Sequence, residues 1–362
     1  MLVFGSLNAD LTVRVERFPD PGETLNGSEL VTAPGGKSSN QAVAAALLGS
    51  SVRLVGAVGD DAHGRFLLDQ AREAGVDVSQ VRADADHATG SAMIVVDASG
   101  ENTIIVSPGA NGLHTAASAG ETDVAGADVL CLCLEVPLNA VEAAARRGHE
   151  AGALVVLNLS PYTKVPSTLL GHVDVLLVNQ NEAELVVGRE VAGDWAATLE
   201  AFIGLGVDRV VVTLGAEGAV VLDGTGSGDH ELDRTGSGHH ELDRTGSGHH
   251  GLDRTGSGHP TGSGHHELDR TGSGHHGLDR TGSGHHGPDR TGSGDERVTF
   301  VASPHVDAVD TTGCGDAFTG ALAHTMATGS SLIEAATLAA RVAAQTATRE
   351  GAQASYAAAV KD

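Results

Sequence analysis

The chain has 362 residues, a formal net charge of −25 at pH 7, 40% apolar residues and three cysteines. So acidic a balance argues against nucleic acid or an anionic membrane as a partner, and no stretch approaches the roughly 18 uninterrupted apolar residues of a spanning helix. The N-terminus MLVFGSLNAD lacks a basic region followed by a long apolar core, so a cytoplasmic protein is expected. Cys131 and Cys133, two apart in VLCLCLE, share one face of a strand, too close for an unstrained disulfide and too few for a metal set. With Cys314 in a glycine turn, they fit a reducing compartment.

In chain order, short apolar runs occur at LVFG (2–5), VRLVGAVG (52–59), VLCLCLE (129–135), LVVLNLS (154–160), VDVLLVN (173–179) and RVVVTLG (209–215). Such runs are buried in parallel sheets. Between them lie the helical stretches NQAVAAALLG (40–49), GRFLLDQAREAG (64–75), LNAVEAAARRGHEAG (138–152) and WAATLEAFIGLG (195–206), each ending at Gly. The alternation predicts an α/β fold, a doubly wound, mostly parallel sheet flanked by helices. TVRVERF (12–18) alternates instead, and SAMIVVDASGENTIIVSP (91–108) reads as a hairpin. Lid segments at about 11–34 and 91–108 are therefore expected to form a small antiparallel β lid over the carboxyl edge of the strands.

TGSG then occurs eight times, at Thr225, Thr235, Thr245, Thr255, Thr261, Thr271, Thr281 and Thr291. Each unit, such as TGSGHHELDR, has one large apolar residue in ten, too little to offset a backbone ordering cost of roughly 1–2 kcal/mol per residue. Residues 225–297 read as a low-complexity, His-rich, disordered insertion, which leaves 1–224 and 298–362 as the folded domain. Its twelve histidines leave metal binding open as an alternative. AVVLDG (219–224) and RVTFVAS (297–303) look like two arms of one hairpin with the array at its tip, where closure cost grows only logarithmically with length.

A Thr-Gly-x-Gly-Asp turn occurs within the array and again in DTTGCGDAFTGAL (310–322). Only the second follows a strand-like stretch, HVDAVD, and opens into an apolar helix. There the N–H groups of Gly313, Cys314 and Gly315 are expected to converge on an anion at a helix N-terminus. Asp316 either points into the same pocket or caps the helix. Upstream, GSLNAD (5–10) puts Asn8 and Asp10 after the first strand, and APGGKSSNQA (33–42) puts Lys37 and Asn40 at a helix start. Each suits a polar small molecule, a turn or a cap.

GSLNADL, FPDPGETL, GGKSSNQAVAAALLG, GDDAHG, NQNEAE, VTLGAEG and DTTGCGDAFTGAL, in this order, resemble the ribokinase-like (PfkB) carbohydrate kinases over essentially all of the chain outside 225–297. The resemblance implies ATP-dependent phosphorylation of a sugar hydroxymethyl group, for ribose the 5-hydroxyl. It makes Asp316 the catalytic base and Gly313, Cys314 and Gly315 the anion hole. Asn8, Asp10, Gly36, Lys37, Asn40 and Glu135 would grip the sugar hydroxyls. Asn179 and Glu182 would lie near Mg²⁺ and the phosphates, and Thr213 and Gly215 beside the nucleotide. Asp310, Thr312, Gly351 and Ser355 fall where an activating monovalent cation (K⁺) binds in the family, and a homodimer through the lid sheet is implied.

The pattern departs from the family at Ser38 and Ser39, where Gly-Ala is usual, at the residue before Asn179, where Pro is usual, and at Cys314, where Ala or Gly is commoner. The serines are expected to change the polarity of the sugar pocket, and a thiol at a helix N-terminus to be sensitive to oxidation. Another sugar or nucleoside kinase, and a non-catalytic sugar- or metal-binding protein, stand as alternatives at this level.

Overall fold

The computed structural model describes residues 1–225 and 295–359. The first third comprises β1 (Leu2–Phe4), β2 (Asn8–Arg14), β3 (Val31–Gly35), α1 (Lys37–Leu47), β4 (Val52–Gly59), α2 (Ala62–Glu73), β5 (Val76–Asp84), β6 (Gly90–Val96) and β7 (Asn102–Ser107). There follow α3 (Ala116–Gly120), β8 (Val129–Leu132), α4 (Leu138–Glu150), β9 (Leu154–Asn158), α5 (Ser167–Leu170), β10 (Val175–Asn179), α6 (Gln180–Val187), α7 (Trp195–Gly204) and β11 (Arg209–Thr213). The remainder is β12 (Gly218–Asp223), β13 (Val298–Ala302), α8 (Cys314–Ala327), α9 (Leu332–Thr346) and α10 (Gln353–Ala359).

A nine-stranded sheet runs β13-β12-β11-β10-β9-β8-β1-β4-β5. Its pairings are parallel except that β12 opposes both its neighbours. Because successive side chains point to opposite faces, each apolar strand feeds two cores. Val3, Cys131, Val156, Leu177 and Val211 pack with Ala42 of α1, Phe318 of α8 and Ala339 of α9. Leu2, Leu130, Val155, Leu176 and Val210 pack on the other face with Val141 of α4 and Phe202 of α7. Burial on both faces is why these strands lack polar alternation, and the expected doubly wound architecture follows from it.

The strand order reverses at β1, with β4 and β5 on one side and β8 to β11 on the other. Open α/β sheets bind ligands outside the carboxyl ends of their strands at such a point. The second sheet, β3-β2-β6-β7, starts there, since β2 begins four residues after β1 ends. Two of its three pairings are antiparallel; β2 and β6 pair in parallel because the chain makes a long excursion through the main sheet between them.

Three local expectations change. β5 was not foreseen: VDVSQVRAD alternates between buried and solvated positions because it is an edge strand. β2 starts at Asn8 rather than near residue 11. HVDAVD (305–310) is not a strand; the N–H groups of Val309 and Asp310 are drawn to the Ala347 carbonyl, at 2.7 and 3.2 Å, rather than to a sheet. β12 and β13 do pair antiparallel, with Val221 opposite Thr299, as expected for two hairpin arms. The repeat array between them, with its expected disorder and its His pairs, lies outside the described residues. Among the described residues no helix is long and apolar enough to cross a membrane.

Candidate active site

At the switch point the loop after β1 meets the loop after β8. Glu135 accepts hydrogen bonds at one oxygen, Oε2, from the Ser6 hydroxyl at 2.5 Å and from the Lys37 N–H at 2.9 Å. The N-cap of α1 is Gly36, with φ of 89° and no capping side chain, so the Glu135 carboxylate supplies the charge that a helix N-terminus favours. A Cβ at Gly36 would lie 2.7 Å from the Asn8 N. Only glycine brings the start of α1 against the start of β2. Asn8 is buried there and accepts from Asn111 Nδ2 at 2.8 Å, while Asn111 also pairs with both backbone groups of Leu7. The Asn8 Nδ2 has no partner among the described residues. Asn111, in a 3-10 turn after the lid hairpin, carries no sequence motif and went unforeseen.

Asp316 completes the cluster from the other wall. Gly320, one turn later in α8, would meet the Gln41 carbonyl at 2.6 Å if it carried a Cβ. This close approach of α8 to α1 lets Asn40 Nδ2 donate to Asp316 Oδ2 at 2.9 Å, with Gln41 Nε2 at 3.5 Å from Oδ1. Asp316 therefore points into the cluster and does not cap its helix, whose N-cap is Gly313 in the left-handed region.

The Lys37 ammonium lies in the field of the Glu135 and Asp316 carboxylates, and Asp10 lies in the field of the same two carboxylates. Burial pushes the Asp10 carboxyl up to about 7, and the charges of Glu135 and Asp316 add to the shift. Burial also holds Asp316 above the usual carboxylate range, against the opposing charge of Lys37 and the amide of Asn40. Burial, at 7% exposure, is what separates Asp316 from an ordinary surface aspartate. For Lys37, burial favours the neutral amine, but Asp316, Glu135 and the weaker fields of Cys133 and Glu182 outweigh it and raise the ammonium.

The serines do not face this cluster as expected. Ser38 is buried and its hydroxyl lies 3.1 Å from Cys133 Sγ and 3.4 Å from the Phe4 carbonyl, back toward the sheet. Ser39 Oγ instead accepts from Gln353 Nε2 at 3.2 Å.

Beyond Asp316, the same turn walls a second space. A cavity of about 280 Å³ is lined by Thr213, Gly215, Cys314, Gly315, Phe318 and alanines of α9. Its apolar flanks suit a flat heterocycle. At the helix end the Cys314 N–H, one of the three expected donors, donates to the Thr311 carbonyl at 3.2 Å, while the N–H groups of Gly313 and Gly315, and that of Asp316 beside them, have no partner among the described residues. Nor does the helix end lower the Cys314 thiol, as its position suggested. Burial pushes it up to about 11, with Asp310 and Asp316 adding to the shift.

Asn179 ends β10 opposite Thr213 of β11. It forms a reciprocal capping box with Glu182, Glu182 N to Asn179 Oδ1 at 2.8 Å and Asn179 N to Glu182 Oε2 at 2.9 Å. That structural work had not been anticipated from NQNE. Asp310 receives the N–H groups of Thr312 and Gly351 at 2.9 and 2.8 Å. These and the Thr312 side chain hold its carboxyl below the usual range although burial opposes them. Ser355 donates to the Ala352 carbonyl at 2.6 Å and makes no hydrogen bond with Asp310.

The model of the pfkB family carbohydrate kinases matches residues 1–238 and 290–359. The chain belongs to the pfkB family of carbohydrate kinases. It is 38% identical over 225 residues to the ribokinase of Haemophilus influenzae, covering 61% of this chain and 74% of that protein. It is 37% identical over 235 residues to the ribokinase of Schizosaccharomyces pombe, covering 60% and 73%. Among solved structures, ribokinase from Thermotoga maritima superposes with a TM-score of 0.73 at 25% identity, covering 100% of this chain and 99% of that one. Arabidopsis thaliana ribokinase complexed with ribose and ATP gives 0.72 at 24% identity, covering 100% and 98%. The last likeness is one of fold.

Proposed function

We propose that this pfkB-family kinase transfers the γ-phosphoryl group of ATP to the 5-hydroxyl of ribose. The observation that carries the reading is a shared wall. Cys314 and Gly315 line the apolar cavity while the next residue, Asp316, is buried against Asn40 in the polar cluster. One turn of backbone thus separates a nucleotide-shaped space from a hydroxyl-binding one, and a phosphoryl group need cross only that turn. The named relatives, all ribokinases, support the choice of sugar.

Asp10, Asn8, Lys37, Asn40 and Glu135, with the Gly36 backbone, hold the sugar through its hydroxyls. Asp316 orients the 5-hydroxyl and takes its proton; its raised affinity for a proton makes it a better base than an exposed aspartate. Charge moving onto the phosphoryl oxygens meets the N–H groups of Gly313, Gly315 and Asp316, already oriented by the turn, so no reorganisation accompanies transfer. Gly313 sets that turn, and Thr213 and Gly215 lie along the nucleotide.

Among the described residues no three His, Cys, Asp or Glu side chains are grouped to hold a metal. Mg²⁺ takes few protein ligands and several phosphate oxygens; Asn179 and Glu182 would hold it, and the ion would neutralise phosphate charge. For K⁺, the ionised Asp310 with the Thr312 and Ser355 hydroxyls and the Gly351 backbone makes a hard oxygen set. The lid sheet exposes Met93, Ile104, Ile105 and Val106, which supports a homodimer through this face. The three free cysteines suit a cytoplasmic setting. We read residues 225–297 as an insertion between the two parts of the catalytic domain, 1–224 and 298–362, and replacing them with a short turn is expected to leave kcat nearly unchanged.

The test is ADP release from Mg·ATP over a panel of sugars and nucleosides, with and without K⁺. Fast, K⁺-enhanced turnover on ribose is expected. Turnover confined to another sugar or a nucleoside would move the substrate and keep the mechanism; none at all would overturn the reading.

A further inference from the structure

The C-terminal helix reaches the cluster through a residue that no motif marked. Gln353, the first residue of α10, donates through Nε2 to Asn40 Oδ1 at 2.9 Å and to Ser39 Oγ at 3.2 Å. Asn40 in turn donates through Nδ2 to Asp316 Oδ2 at 2.9 Å. A carboxylate can only accept, so the Asn40 amide must present its NH₂ to Asp316 and its carbonyl to the far side. The far side is where Gln353 waits with a donor.

The same segment grips the anion turn. Gly351 N–H donates to Asp310, and the buried Tyr356 hydroxyl donates to the Gly313 carbonyl at 2.9 Å. Ser39 gives the Gln353 amide a second acceptor, so the donor is held on two sides. Residues 351–356 therefore touch all three parts of the machinery: the turn, the base through Asn40, and the loop before α8.

We propose that Gln353 is a positioning residue for the transfer reaction, fixing the orientation of the Asn40 amide so that its NH₂ faces Asp316 and the sugar. The proposal rests on the kinase reading of Asp316. Gln353 touches neither substrate; it acts through Asn40. An Asn40 amide turned over would set its carbonyl oxygen against the Asp316 carboxylate and its NH₂ against the Gln353 NH₂, so Gln353 adds a second mismatch to the one Asp316 already imposes. Ser39, which departs from the Gly-Ala usual in the family, is in this account part of the same device.

Gln353→Met keeps length and volume but removes the donor. Loss of one such bond is expected to lower kcat/KM for ribose about fivefold, with KM for ATP unchanged. Gln353→Glu is expected to cost more than Met, because a carboxylate accepts from Asn40 Nδ2 and favours the turned amide. Ser39→Ala should fall between the wild type and Gln353→Met. The decisive arm is the pair with Asn40→Ala: there Gln353→Met should have no further effect on kcat/KM, whereas a role in holding α10 in place would act equally in both backgrounds. Tm of each variant checks that the fold is intact. Wild-type kinetics in Gln353→Met and Gln353→Glu, with Asp316→Asn inactive, would overturn this inference and leave the kinase reading standing. A fully active Asp316→Asn would remove the reading beneath it.

Discussion

Under the proposed kinase reading, the two sides of the Gly313–Asp316 turn recognise their ligands by opposite means. On the sugar side, three carboxylates and one ammonium are crowded into a half-buried cluster, and Asp10 is pushed up to about 7 by burial and by the charges of Glu135 and Asp316. On the nucleotide side the cavity is walled by Phe318, alanines of α9 and glycine backbone. A polyhydroxylated ligand can relieve an electrostatic deficit by donating hydroxyls, so the sugar side stores its specificity as unsatisfied charge. The nucleotide side stores it as shape. Only the turn belongs to both.

This contrast can be broken most severely at the turn itself. Asp316→Asn preserves size and the Asn40 contact while removing the base, and is expected to lower kcat by about 10² to 10⁴, with KM for ribose and ATP each within severalfold of wild type. Steady-state kinetics on both substrates check it; a large change in either KM would mean that Asp316 binds rather than reacts.

Acid should separate the sides next. Ribose hydroxyls donate better to ionised Asp10, whose proton affinity near pH 7 makes the cluster lose that acceptor as pH falls. KM for ribose is expected to rise roughly 10- to 30-fold between pH 7.5 and 5.5, and KM for ATP to follow no such course. The same series run with Asp10→Asn should be flat.

A steric change sharpens the other side. Ala343→Phe, on the wall of the apolar cavity, is expected to raise KM for ATP about tenfold, the effect of roughly 1–2 kcal/mol of overpacking, while KM for ribose holds. If both KM values rose together, the cavity would not be a nucleotide site separate from the sugar cluster.

The smallest effect is on stability. A carboxyl raised on folding contributes stability that is lost as pH rises through its folded value, so ionised Asp10 opposes folding at pH 8. Asp10→Asn should raise Tm of the free protein by roughly 2–4 °C there, for about 1 kcal/mol relieved, and the gain should shrink as pH falls from 7 toward 4. An unchanged or lower Tm at pH 8 would show that Asp10 is already compensated.

The strands flanking the switch point were legible because burial on both faces leaves nothing but apolar residues in runs such as VLCLCL, and the glycine turn of DTTGCGD was legible because the apolar run AFTGALAHTM follows it, as α8. β5 was missed for the converse reason: an edge strand keeps polar residues on its open side, as VDVSQVRAD does. The site residues quoted in motifs, Asn8, Asp10, Lys37, Asn40, Glu135 and Asp316, do converge. Asn179 and Glu182 proved to be each other's cap, which spacing alone could not distinguish from a ligand pair. Asn111, Gln353 and Tyr356 escaped altogether. Each acts through a hydrogen bond between residues more than 40 positions apart, a relation that periodicity and local motifs do not encode.

The most direct measurement is the ³¹P NMR spectrum of the products formed from Mg·ATP and ribose, beside a parallel reaction with 5-deoxyribose. The account predicts a ribose 5-phosphate resonance growing in step with ADP, and no phosphorylated sugar when the 5-hydroxyl is missing. Phosphorylation of 5-deoxyribose, or ADP formed with free phosphate and no sugar phosphate, would contradict it.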